Sequence, residues 1–148
     1  MIKNNFIARQ AIYDKSDNLI GYELLYRTSM INAASYNDGN FASSHVILNS
    51  FLEMGFDSLV GSSKAFINIT EDFILEDTLT PMYEKHTVLE IVEEIKPSKE
   101  VVEGVKRLKQ QGYGIALDDF IYSPDYDELL ELADYVKLDV LELDKDSI

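Results

Sequence analysis

A chain of 148 residues with 46% hydrophobic composition is the size of one globular domain and carries enough apolar material for an ordinary core, so a single domain over 1–148 is expected. It contains no cysteine, which excludes disulfides, thiolate metal sites and thiol nucleophiles, and leaves oxygen atoms and two histidines as metal ligands. A formal net charge of -14 opposes non-specific binding to nucleic acid, whose backbone needs clustered Lys and Arg.

The chain opens on an extended apolar run, Phe6–Tyr13, and the turn-forming cluster Asp14 to Asn18 leads to a second run, Leu19–Arg27, which together predict a hairpin. After a loop rich in Asn, Ser and Asp, residues 41–56 place Phe41, His45, Leu48, Phe51 and Leu52 on one helical face. Strand-like Lys64–Ile69 then precedes a short helix at Glu71–Leu75. A strand at 88–92 precedes a helix at 98–111, with Ser98 as its start signal and Gly112 as its stop, and a strand at 115–117 precedes a helix at 125–132. A last strand is expected at 135–140. Strands alternating with helices predict right-handed crossovers and a parallel sheet, doubly wound or closed as a barrel. No apolar run reaches the roughly 20 residues of a membrane span, and the start lacks the apolar stretch of a secretion signal, so a cytoplasmic protein is expected.

Parallel strands are buried on both faces, so a polar side chain inside one needs a partner or a purpose. Glu23, Asn68, Glu90, Asp118 with Asp119, and Lys137 each interrupt or end such a strand. Taken singly, each has a structural explanation: Asn68 as a helix cap, the aspartates as caps or turn residues, Lys137 paired with Asp139 or reaching for solvent, Glu23 bridged to Arg27. Taken together they lie near the C-terminal ends of successive strands, which in a barrel converge on one mouth. Carboxylates gathered there repel one another, and a hard divalent cation such as Mg²⁺, or Mn²⁺, relieves the repulsion and suits oxygen ligands. Adjacent Asp118 and Asp119 reach one site only if the strand ends there, and can then bridge two ions. A nearby lysine that orients or helps deprotonate water completes the elements of metal-assisted phosphodiester hydrolysis. His45 reads as a core or interface residue and His86 as a loop residue.

These segments resemble EAL domains. Ala8-Arg9-Gln10 through Gly21-Tyr22-Glu23-Leu24-Leu25-Tyr26-Arg27 resembles their opening, Phe66-Ile67-Asn68-Ile69-Thr70 the asparagine strand and Leu89-Glu90-Ile91-Val92-Glu93 the Glu-x-x-Glu strand. Asp118-Asp119-Phe120 resembles the Asp-Asp-Phe motif and Lys137-Leu138-Asp139 the lysine strand, in the family's order. The resemblance implies an α/β fold, a (β/α)₈ TIM-barrel variant that hydrolyses cyclic di-GMP to pGpG with two Mg²⁺ or Mn²⁺ ions. By the same resemblance Glu23, Asn68, Glu90 and Asp118 hold one ion, and Asp118 with Asp119 the second. Lys137 helps activate water, Glu93 steadies the loop after Asp119, and Arg27 and Gln10 contact the nucleotide, Arg27 through a phosphate. The opening is most similar to the subgroup in which an EAL domain precedes an HDOD domain.

Two departures shape the functional expectation. Ile121-Tyr122-Ser123-Pro124 stands where the family carries a glycine-rich loop, and the chain ends at Ile148, so the last two barrel strands and their Glu and Gln are expected to be missing. An open barrel exposes strand edges, which invite pairing with a second copy. The reading carried forward is a signalling domain that binds cyclic di-GMP and is degenerate or inactive in this form. The alternative is a metal-dependent phosphodiesterase.

Overall fold

The computed structural model of the chain describes residues 6–27, 61–76 and 86–138. The helix expected at 41–56, with Phe41, His45, Leu48, Phe51 and Leu52, lies outside the described residues.

The N-terminal hairpin forms as expected. Strands β1 (Phe6–Tyr13) and β2 (Leu19–Arg27) pair antiparallel, with a register shift at Ile12/Tyr13. The turn is built by Asp14, whose Oδ1 accepts from the Ser16 and Asn18 amides at 2.8 and 2.9 Å and whose Oδ2 accepts from the Asn18 side-chain amide at 3.0 Å. Asp17 takes the left-handed conformation that closes it, with φ 61°.

From β2 onward the sheet is parallel. Strands β3 (Lys64–Ile69), β4 (Thr87–Ile91), β5 (Gly114–Leu117) and β6 (Tyr135–Val136) follow in order, so the described strands form a six-stranded sheet in sequence order from β1 to β6. This is the pattern of successive right-handed crossovers, and it curls the sheet toward a barrel. Among the described residues the crossovers carry α1 (Glu71–Leu75), α2 (Lys99–Gln110), a 3₁₀ turn (Pro124–Tyr126) and α3 (Asp127–Leu132).

The boundaries expected from sequence shift by small, explicable amounts. Ser98 is the N-cap of α2 rather than its first residue, its Oγ accepting the Val101 amide at 3.2 Å. The helix expected over 125–132 is divided, because Pro124 starts a 3₁₀ turn before the α-helix begins at Asp127. Strand β6 ends at Val136; Lys137 still donates its amide to the Leu117 carbonyl at 2.8 Å, and Asp139 and Val140 lie outside the described residues.

Alternation along these strands sorts the core into two layers. On one face Ala65, Ile67, Ile69, Leu89, Ile91, Ile115 and Leu117 pack against Phe73, Ile74, Val101, Val102, Val105 and Leu108 of the helices. On the other, Phe66, Val88 and Ala116 form a smaller cluster flanked by Ile12, Ile20 and Tyr135. This second face is the concave interior, and its apolar cluster is the floor beneath the polar residues.

The start of β6 is pinned by Asp134. Its Oδ2 accepts the Ile115 amide at 3.0 Å, its own amide donates to the Ile115 carbonyl at 2.8 Å, and its Oδ1 meets Lys109 at 3.0 Å. Tyr135 then packs edge-on against Phe66, centroids 5.3 Å apart, and accepts a hydrogen bond from Lys64 at 2.8 Å. Those contacts fix where Lys137, two residues on, must arrive.

Helices α1 and α2 meet at Gly104, where an added Cβ would run into the Ile74 carbonyl oxygen and lie 2.6 Å from Ile74 Cγ2. Gly104→Ala is expected to lose about 1–3 kcal/mol of stability through this overpacking, read as a lower urea midpoint with an unchanged m-value.

Candidate metal centre

The polar strand residues converge. Glu23 lies on β2, Asn68 on β3 and Glu90 on β4, while Asp118 and Lys137 each directly follow their strands. Asn68 and Glu90 are paired neighbours in the parallel register, and the Asp118 amide extends the ladder by donating to the Ile91 carbonyl at 3.0 Å. All five side chains point to the concave face above Phe66, Val88 and Ala116.

At their centre is the Lys137 ammonium. Its Nζ lies 3.1 Å from Glu23 Oε2, 3.0 Å from each oxygen of Glu90 and 3.4 Å from Asp118 Oδ1. The Glu90 side chain is 0% exposed and that of Lys137 16%. Lys137 therefore faces inward, which sets aside the reading in which it reaches for solvent. Glu23 is likewise committed to Lys137 and to Asn68, whose Nδ2 donates to Glu23 Oε1 at 3.1 Å. The side chain of Arg27, at the end of β2, and Asp139 both lie outside what the structure describes.

Asn68 is not the helix cap. That role belongs to Thr70, whose Oγ1 accepts the Phe73 amide at 3.3 Å. With its amide nitrogen turned to Glu23, Asn68 leaves Oδ1 buried and, among the described residues, without a hydrogen-bond partner. Buried oxygens of this kind are rare because they forfeit their hydration. A cation at the site would answer it.

Asp118 and Asp119 reach the same neighbourhood because β5 ends at Leu117, immediately before them. Asp119 has φ 46°, a left-handed turn that swings the second carboxylate back instead of to the opposite face. Carboxylate oxygens of Glu23, Glu90 and Asp118 lie within 4.8 Å of one another, and so do those of Glu93, Asp118 and Asp119. Asp118 belongs to both sets, the arrangement of a bridging ligand. Glu93 thus stands as close as a ligand, beyond the loop-steadying role expected from sequence. In the loop after Asp119, Phe120 stacks edge-on against Tyr126, centroids 5.5 Å apart.

The remaining sequence candidates sit at the periphery. Gln10 pairs directly with Glu23 across the hairpin and so shares its face, with an exposed side chain. Arg9 turns the other way and stacks over the Tyr22 ring at 4.7 Å. His86 precedes β4 at the opposite end of the sheet and is exposed.

Burial and mutual repulsion set the protonation of the cluster. Desolvation, then the neighbouring Glu23 charge, push the Glu90 carboxyl up to about 8 against the pull of Lys137. Asp118 is raised for the same first reason, with Lys137 opposing and Glu23 and Asp119 adding to the rise. For Lys137 burial alone would lower the value, but Glu90, Glu23 and Asp118 outweigh it and hold the ammonium above the ordinary lysine range. The donors fit a hard divalent ion: several carboxylates and a free amide oxygen, with no sulfur or imidazole among the described ligands.

Glu90 makes a pH prediction for the metal-free protein. Its folded-state value is above the ordinary 4.5, so its contribution to stability is full below about 4.5 and is lost as pH rises through about 8. Melting temperature measured in a chelator should fall across that window, and Glu90→Gln should flatten the fall.

No family model matches the chain. It is 38% identical over 141 residues to a Bacillus subtilis (strain 168) protein, YuxH, described as uncharacterized, matching 94% of this chain and 34% of that protein. It is 33% identical over 142 residues to the cyclic di-GMP phosphodiesterase CdgJ of Vibrio cholerae, matching 95% of this chain and 33% of CdgJ. The chain thus spans about a third of the length of these curated relatives. Among solved structures, the phosphodiesterase PaMucR in complex with c-di-GMP superposes with a TM-score of 0.69 at 18% identity, covering 95% of this chain and 72% of that one. The FimX EAL domain gives 0.66 at 17% identity, covering 93% and 66%. Bacillus subtilis YkuI, an EAL-domain protein with c-di-GMP and calcium, gives 0.60 at 18% identity, covering 93% and 42%. These likenesses give the chain the TIM-barrel-like fold of EAL domains.

Proposed function

We propose that this EAL-type chain is a cyclic di-GMP signalling domain that binds the nucleotide through divalent cations held at the concave mouth. The observation that carries the reading is the meeting of Glu23, Asn68, Glu90, Asp118 and Lys137 in one cluster, with the Asn68 oxygen left without a partner among the described residues. It is supported by the relative CdgJ, named for cyclic di-GMP hydrolysis, and by structural neighbours that hold c-di-GMP.

In this reading Glu23, Asn68, Glu90 and Asp118 hold one ion, and Asp118 and Asp119, joined by Glu93, hold a second. Mg²⁺ or Mn²⁺ suits ligands that are all oxygen. Such ions supply charge neutralisation for the phosphodiester and Lewis acidity toward it. Gln10 and Arg27, next to and beyond Glu23 along the hairpin, contact the nucleotide at the rim. A self-association surface is supported by Ile121 and Tyr122, 85% and 63% exposed in the loop after the aspartates. An HDOD-type partner domain is supported by the form of the opening motif.

Hydrolysis to pGpG is the second reading, favoured by the two carboxylate sets sharing Asp118. Water adds to one phosphorus, one P–O ester bond breaks, and the departing ribose oxygen takes up a proton. Lys137, held as an ammonium, donates a hydrogen bond to the water or the phosphate and so orients it, while the proton released by the water passes to a carboxylate.

Calorimetric titration with cyclic di-GMP in Ca²⁺ should show binding that Glu23→Ala weakens at least tenfold. Product analysis in Mg²⁺ and Mn²⁺ separates the two readings: pGpG formation lost in Glu23→Ala establishes the enzyme, and binding without turnover establishes the sensor. Absence of binding in the wild-type chain overturns both.

A further inference from the structure

The position of the Lys137 ammonium has a consequence for how any ion enters. Its Nζ is within 3.4 Å of oxygens from Glu23, Glu90 and Asp118 at once, and those same carboxylates form one of the two ligand sets. A hard divalent ion sits about 2.0–2.6 Å from its oxygen ligands. An ion drawing on these oxygens would therefore occupy nearly the space that Nζ fills. Two cations cannot share it, for both steric and electrostatic reasons.

We propose that Lys137 is the resident counter-ion of the metal-free centre and competes with the first divalent cation, so that loading the site requires the ammonium to leave the midst of Glu23, Glu90 and Asp118. The inference rests on the metal-centre reading above and adds a role for Lys137 that precedes any contact with nucleotide. Without metal, three carboxylates above an apolar floor would repel one another, and the 0% exposed Glu90 has no water to turn to. The lysine supplies the missing positive charge from within the chain. Its flexible four-carbon stem and 16% exposure leave a route toward the mouth when an ion arrives. The centre is thereby kept assembled in both states, at the expense of affinity for the ion.

The test uses metal alone as the probe. Ca²⁺ and Mn²⁺ are titrated calorimetrically into the wild-type chain and into Lys137→Met and Lys137→Gln at pH 8, and melting temperature is read in chelator and in saturating Ca²⁺. Both variants should bind the first ion at least tenfold more tightly, melt lower than wild type in chelator, and gain more from Ca²⁺ than wild type does. A variant that is unfolded in chelator and folded in Ca²⁺ supports the proposal in its strongest form. Equal or weaker metal binding by the folded variants overturns it while leaving the metal centre standing, as does failure of both variants to fold even in saturating Ca²⁺. A wild-type chain that binds neither ion, and that Asp118→Asn leaves unchanged, overturns the metal centre and this proposal together.

Discussion

Several acidic side chains are held close together on a face where the neighbouring residues are apolar, and the rest of the structure follows from the need to compensate them. Glu90 is buried completely, Glu23 and Asp118 lie within reach of the same ammonium, and the Phe66, Val88 and Ala116 layer below excludes water. An array of this kind is unfavourable without a positive charge at its centre. Lys137 provides that charge, and its arrival at the right point depends on the placement of β6 as a whole.

That placement is achieved by contacts away from the centre. Asp134 binds Ile115 on both sides of its peptide unit and pairs with Lys109, and Tyr135 is fixed between Phe66 and Lys64. Parallel pairing then carries the register from strand to strand, so that Asn68 and Glu90 stand side by side and Asp118 continues the ladder above Ile91. Among the described residues the helices contribute none of the clustered polar side chains. They cover the outer face, where Ile67, Leu89 and Ile115 are buried, and so make the sheet rigid enough to hold the clustered side chains in place.

The element pattern was largely legible because buried parallel strands and amphipathic helices have different periods. Strand β4 is apolar after Thr87 except at Glu90, and α2 presents Val101, Val102, Val105 and Leu108 on one side. The polar strand residues were legible as anomalies, and their position near the C-terminal ends of successive strands assigned them to one mouth. Local alternatives such as a cap role for Asn68 were equally consistent with the sequence, since Thr70 and Asn68 are both capable caps and only the hydrogen bond to the Phe73 amide decides between them. The sequence resemblance assigned Glu93 to steadying the loop after Asp119; its closeness to both aspartates was not legible, because nothing in a sequence reports the turn with positive φ at Asp119.

The sequence by itself determined which residue types are available and which strand each sits on: oxygen donors and lysine, no thiol, and apolar runs each broken by one polar residue. These are properties of composition and short-range periodicity, which depend on neighbours a few positions apart. Only the tertiary structure decided that the Lys137 ammonium lies among Glu23, Glu90 and Asp118, that Asn68 Oδ1 has no hydrogen-bond partner among the described residues, and that Asp118 serves two carboxylate sets. Those facts join residues as far apart as 23 and 137. They arise from inter-strand register and a backbone turn, quantities set by the packing of the whole sheet rather than by any local stretch of chain.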